Sequence, residues 1–251
     1  MTDPAGTNPD SAGRADPTGS SPATDSITTD SASAAPNFSA RLWQRIGPIR
    51  AAIDALPFLA RLEDGSLGRE RFDYYLGQDA RYLFSYGKAL AAAASQADTS
   101  DDVLFWATAA RTTFVVERQL HAAHVQELDG VEASPTCLAY TTYLQALAGD
   151  GSYPVLAAGI LPCFWIYQDV GDRMLRRIGN RLSGHPYQDW ISTYADPEFA
   201  QATADAIGIV DRLAGEAGDQ IRDRMGHAFV TASRYEWMFW DAAHRMERWP
   251  V

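Results

Sequence analysis

Phe72-Asp73-Tyr74-Tyr75-Leu76-Gly77-Gln78-Asp79-Ala80-Arg81-Tyr82-Leu83-Phe84-Ser85-Tyr86 sets the pattern for the whole chain. Tyr75, Asp79, Tyr82 and Tyr86 fall at i, i+4, i+7 and i+11, which is one face of an α-helix. Leu76, Leu83 and Leu90 form the stripe beside it. Gly68 to Ala97 therefore reads as one long amphipathic helix, opened by the turn residues Asp64-Gly65. A carboxylate on an inward face is costly unless something bonds it. Asp79 is then either tied to a nearby arginine or tyrosine as scaffolding, or kept for chemistry.

The same period runs outward in both directions, and strand-like alternation is nearly absent. Leu42, Ile46, Ile49 and Ile53 mark a helix from Phe38 to Leu56, with a break or a short second helix at Pro48. Ser100-Asp101-Asp102 caps a helix running to about Leu128, which Gly130 ends. Ser134-Pro135-Thr136 starts another, closed by Gly149-Asp150-Gly151. Further helices span Tyr153 to about Ile178, Pro186 to Tyr194, Glu198 to about Ala214, and Glu216 to Arg248. This predicts an all-α bundle of about eight helices in a single domain.

Met1 to Pro36 is different. It is almost entirely Ser, Thr, Asp, Ala, Gly and Pro, so it reads as a disordered acidic tail, leaving 37–251 as the folded domain. The tail has neither the apolar core of a signal peptide nor the basic character of a transit peptide. The net charge of -11 over 251 residues argues against nucleic acid and anionic membranes as partners. No run approaches the roughly 18 apolar residues of a spanning helix. Two cysteines without a secretory signal suggest reduced thiols and a cytoplasmic setting.

Ile160-Leu161-Pro162-Cys163-Phe164-Trp165-Ile166-Tyr167 holds one of those cysteines. Proline is tolerated in a first helical turn, so Cys163 is expected there or just past a kink. A thiol near a helix N-terminus feels the positive end of the dipole and ionises more readily. Cys163 is thus a candidate nucleophile, with a packed apolar thiol as the plain alternative. Glu236 stands among Tyr235, Trp237, Met238, Phe239 and Trp240. Held inside, its pKa would rise by desolvation into the range of a proton shuttle; otherwise it snorkels outward from an aromatic helix. Tyr140 and Tyr194 sit near or at the ends of their helices, where tyrosines commonly pack with a bonded hydroxyl. Cys137 has no such company and reads as core.

Four segments together resemble the TenA/thiaminase II family, in that family's order and over about residues 38–249. They are Tyr75-Leu76-Gly77-Gln78-Asp79 with Tyr82-Leu83, Leu161-Pro162-Cys163-Phe164-Trp165-Ile166-Tyr167-Gln168-Asp169-Val170-Gly171, Gly184-His185-Pro186-Tyr187-Gln188-Asp189-Trp190-Ile191-Ser192-Thr193-Tyr194, and Ser233-Arg234-Tyr235-Glu236-Trp237-Met238-Phe239-Trp240. The resemblance implies a haem-oxygenase-like all-α fold without haem, commonly a homotetramer, and no cofactor or metal. It implies hydrolysis of aminopyrimidines in thiamin salvage or degradation, with a small pyrimidine as the substrate. By the same resemblance Cys163 is the nucleophile and Glu236 the acid/base. Asp79 and Tyr140 would hold ring nitrogens, and Tyr82, Tyr167 and Tyr194 would complete the substrate site.

Two other readings compete. Glu117 and His124, seven apart, with His121 between them and Asp241 and His244 three apart, resemble part of a haem-oxygenase-like diiron ligand set. Trp237 occupies the position four before Asp241 where that pattern wants a histidine, and no further pair completes six ligands. The second competitor is a non-catalytic pyrimidine-binding or regulatory protein, against which the joint presence of Cys163, Glu236 and Asp79 argues.

Overall fold

Prolines and one glycine divide the start of the domain into three short helices: Phe38–Arg45 (α1), Gly47–Asp54 (α2) and Pro57–Asp64 (α3). Pro48 lies in the first turn of α2 and Pro57 opens α3, where a missing N–H leaves no bond unmade. Gly65 then ends α3 at φ 78°, a left-handed conformation that glycine adopts freely. This computed structural model describes residues 37–124 and 132–251, with side chains described outside 116–124. The N-terminal acidic segment lies outside the described residues, as does the expected end of the helix at Leu128.

The remaining helices are Arg69–Gln96 (α4), Ser100–His124 (α5), Pro135–Gly149 (α6), Tyr153–Ile178 (α7), Gln188–Tyr194 (α8), Pro197–Glu216 (α9) and Asp219–Arg245 (α10), with a 3-10 turn at Gly179–Leu182. No strand occurs among the described residues. The all-α expectation holds. Among the described residues the helix number rises from about eight to ten α-helices, because α1 and α2 are separate and α3 was not expected. Eight residues make barely two turns, too few for a periodic stripe to declare itself.

α7 is the central helix, packed against α10, α9, α8, α6 and α4. Its residues Val155 to Pro162 are all buried, so the helix is apolar nearly all round, as a central helix must be. At one end, Trp106 Nε1 donates to the Tyr153 hydroxyl at 2.8 Å. That hydroxyl donates to Asp102 at 2.6 Å, and Arg212 pairs with the same carboxylate. This row ties α5, α7 and α9 with every buried polar group bonded. On the flank of α7, Trp165 stacks on Trp43 at 4.1 Å, and the Arg50 guanidinium covers the other side of Trp43 at 3.9 Å. Arg50 also reaches Asp169 at 3.2 Å, which fixes α1 and α2 against α7. α8 meets α7 at Gly171: a Cβ there would lie 2.7 Å from the backbone carbonyl carbon of Tyr194. Only a glycine allows that approach, and the approach sets where Tyr194 stands.

Candidate active site

The tyrosine face of α4 is buried as the periodicity requires: Tyr75, Asp79, Tyr82 and Tyr86 all lie inside. They face Tyr140 from α6, Cys163 and Tyr167 from α7, Tyr194 from α8, and Glu236 from α10. The rings pack on one another. Tyr82 meets Tyr140 at 4.8 Å and Phe239 at 5.6 Å, and Tyr167 meets Tyr194 and Trp240, each at 4.7 Å. All seven residues marked in the sequence as site candidates therefore come together. Cys137 is buried against the Gln78 carbonyl, its thiol pushed up to about 12 by burial and, secondarily, by the Asp79 charge.

The structure decides between the two places expected for Cys163. Pro162 lies inside α7, not at its start, and the first-turn proline is Pro154. Cys163 therefore sits well along the helix, where the dipole of the N-terminus gives it little. Burial pushes its thiol well above the ordinary value, and the nearby Glu236 charge adds to this; the Tyr82 and Tyr86 hydroxyls hold it down in part. Yet Cys163 keeps some accessible surface. Pro162 leaves the Ala158 carbonyl without its usual partner, and in the same stretch the Tyr86 hydroxyl donates to the Ile160 carbonyl at 2.8 Å.

Glu236 is 1% exposed, so it does not snorkel. Burial raises its pKa to about 8, with the Asp79 charge adding and a hydrogen bond from Tyr140 opposing. That bond is short, 2.6 Å from the Tyr140 hydroxyl to Glu236 Oε1. Tyr235 stacks on the outer side of Tyr140 at 5.0 Å and braces it.

Asp79 resolves the choice the sequence left open. It is buried, and among the described residues neither an arginine nor a tyrosine bonds it. Burial alone raises its pKa to about 7. The Tyr82 hydroxyl is likewise buried, with the Cys163 thiol beside it and no other hydrogen-bond partner among the described residues, and Trp240 Nε1 has none. Buried polar groups are nearly always bonded. With the Asp79 carboxyl these groups line one site and are free to bond a polar molecule, while Arg50 Nε, Gln96 Oε1 and His244 Nδ1 are unbonded elsewhere among the described residues. Tyr75, Tyr86, Trp190, Phe239 and Trp240 join the site without having been singled out as candidates. The signal for three was present, since Tyr75 and Tyr86 share the Asp79 face and Trp240 lies one turn beyond Glu236.

The ligand set of the diiron reading falls partly outside the described side chains, at Glu117, His121 and His124. Of its other members, Asp241 is paired with Arg245 at 2.8 Å.

An all-helical bundle enclosing a thiol, two carboxyls and a wall of tyrosines defines a class of small-molecule site suited to a flat heterocycle. The chain belongs to the TENA/THI-4/PQQC family, whose model matches residues 43–246. It is 33% identical over 201 residues to the aminopyrimidine aminohydrolase of Bacillus subtilis (strain 168), covering 77% of this chain and 84% of that one. It is 36% identical over 208 residues to the thiamine biosynthesis multifunctional protein ThiED of Corynebacterium glutamicum, covering 83% of this chain. The chain spans only 27% of that multifunctional protein and 28% of its Corynebacterium efficiens counterpart. Among solved structures, a TenA homologue from P. horikoshii OT3 matches with a TM-score of 0.73 at 25% identity, covering 84% of this chain and 99% of that one.

Proposed function

We propose that residues 37–251 form a catalytic domain that hydrolyses aminopyrimidines. One substrate is 4-amino-5-aminomethyl-2-methylpyrimidine, giving the hydroxymethyl pyrimidine and ammonia. The other is thiamin, giving the same pyrimidine and the thiazole alcohol. The observation that carries this reading is the unbonded Asp79 carboxyl in a tyrosine-lined site that also holds Cys163 and Glu236. Relatives named aminopyrimidine aminohydrolase support it.

The chemistry follows from the charges. A thiol and a carboxyl this close share one negative charge more easily than they carry two. Glu236 takes the Cys163 proton, which removes the charge that raised the thiol. The thiolate adds to the electron-poor ring and pushes electrons toward the exocyclic methylene, expelling the amine or thiazole. Protonated Glu236 supplies the proton the ring nitrogen or amine needs. It then takes one from the water that adds to the methylene before the thiolate departs. Asp79 and Tyr140 hold the ring nitrogens, and Tyr82, Tyr167 and Tyr194 frame the ring. In this account the Tyr82 hydroxyl, whose proton no other group among the described residues takes, and not a helix terminus, stabilises the thiolate.

The test is ammonia release from the aminomethyl pyrimidine, and thiazole release from thiamin, by the purified wild-type protein. Turnover of either with the hydroxymethyl pyrimidine as co-product is the expected result. Failure on both would overturn the reading.

A further inference from the structure

Gln78 immediately precedes Asp79 on α4 but takes no part in the site itself. It is 4% exposed, and both ends of its amide are bonded. Its Nε2 donates to the Glu132 carbonyl at 3.0 Å, and its Oε1 accepts from the Ser134 N–H at 2.8 Å. A backbone carbonyl only accepts and a backbone N–H only donates, so the amide has a single possible orientation. Both partners lie in the segment that leads into α6. The Ala133 carbonyl between them accepts from Trp249 Nε1 at 2.9 Å. Ser134 then caps α6 through the Cys137 N–H at 3.2 Å, and the Cys137 thiol donates back to the Gln78 carbonyl at 3.6 Å. Position 78 of α4 is thus tied to α6 at its entry and again within its first turn.

The neighbours of these contacts are the two residues read as holding the ring. Asp79 follows Gln78 directly, and Tyr140 lies about one turn beyond Cys137. One turn along α4 from Gln78, Tyr82 packs on Tyr140 at 4.8 Å. Tyr140 is braced on α10 by its bond to Glu236 and by the Tyr235 ring. Asp79, which neither an arginine nor a tyrosine bonds among the described residues, takes its place from α4 alone.

We propose that Gln78 is a positioning residue that locks α4 to the start of α6, and so sets the spacing between the Asp79 carboxyl and the Tyr140 hydroxyl to that of one small heterocycle. This rests on the reading of Asp79 and Tyr140 as the groups that hold the ring. Without the amide, α6 is freed from α4 while Tyr140 keeps its bond to Glu236. Ring binding then suffers, and the proton chemistry of Glu236 does not.

Gln78→Met tests this, because it keeps a long unbranched side chain and loses both bonds. Binding of the hydroxymethyl pyrimidine is measured by calorimetry for the wild type, Gln78→Met, Tyr140→Phe and the double variant. For the wild type and Gln78→Met, kcat and KM with the aminomethyl pyrimidine are measured across pH. Gln78→Met is expected to weaken binding and raise KM by about tenfold, with kcat within about threefold of wild type and its acidic limb in place. In the Tyr140→Phe background it is expected to weaken binding no further, because no spacing between two contacts is left to hold. Thermal unfolding checks each variant. Gln78→Glu, which keeps the acceptor for Ser134 and loses the donor to Glu132, takes its place with the same expected direction if Gln78→Met does not fold. Wild-type binding and KM in a folded Gln78 variant, a loss confined to kcat as an unfolded fraction would give, or losses that multiply in the double variant would overturn the proposal. A wild type that neither binds the pyrimidine nor turns over either substrate would instead overturn the reading of the site on which it rests.

Discussion

The Tyr140 hydroxyl donates a 2.6 Å hydrogen bond to Glu236 Oε1 inside the bundle, and no water-exposed surface separates the pair. A donor to a carboxylate favours its charged form. Removing the donor in Tyr140→Phe should therefore raise the Glu236 pKa above its value of about 8. We expect the acidic limb of the kcat profile to move to higher pH and turnover at neutral pH to fall. A profile that keeps its wild-type position would mean that Glu236 is not the group being titrated.

Asp79 and Glu236 also set a pH dependence of stability. Their ordinary values of 3.8 and 4.5 rise to about 7 and about 8 in the native protein. Between those limits the native state holds protons that the unfolded chain has released. Their stabilising effect is full below the unfolded values and is lost as pH rises through the native ones, by about 1.4 kcal/mol per pH unit for each group. Asp79→Asn removes one group. Urea midpoints taken at about pH 5 and about pH 8 should show the variant gaining on the wild type at the higher pH. An equal change in both proteins would show that Asp79 ionises natively as it does unfolded.

Gly171 and Gly208 should behave in opposite ways. A Cβ at Gly171 would lie 2.7 Å from the Tyr194 carbonyl carbon and 2.9 Å from its oxygen, which cannot step aside as a side chain could. Gly171→Ala is expected to cost about 1–3 kcal/mol and to displace Tyr194, lowering both the melting temperature and turnover. Gly208 lies within α9 with nothing within 4 Å of its Cβ position. Gly208→Ala should stabilise by about 0.5–1 kcal/mol and leave turnover unchanged. A Gly171→Ala protein as stable and active as the wild type would mean that α7 and α8 do not need this approach.

Much of this site was legible in the sequence, and the exceptions have causes. The α4 face was visible because a helical period of 3.6 places Tyr75, Asp79, Tyr82 and Tyr86 in line regardless of what packs on them. The company of Asp79 was not visible, since the bonds it lacks concern residues far away in the chain. The place of Cys163 stayed open between a first turn and the residue past a kink, because a proline opening a helix and one inside it have the same local sequence. Pro154, eight residues earlier, is the one that opens α7. The hydrogen bond from Trp190 to Tyr75 joins residues 115 apart, and only the packing of α8 on α7 through Gly171 brings them together.

The account turns on Cys163 as the atom that attacks the ring. The most direct measurement is turnover by Cys163→Ser beside the wild type, on thiamin and on the aminomethyl pyrimidine, with melting temperatures in parallel. The serine oxygen is a poorer nucleophile in this desolvated place, so we expect a loss of about a thousandfold or more on both substrates with the fold retained. Wild-type turnover of either substrate by a folded Cys163→Ser protein would contradict it.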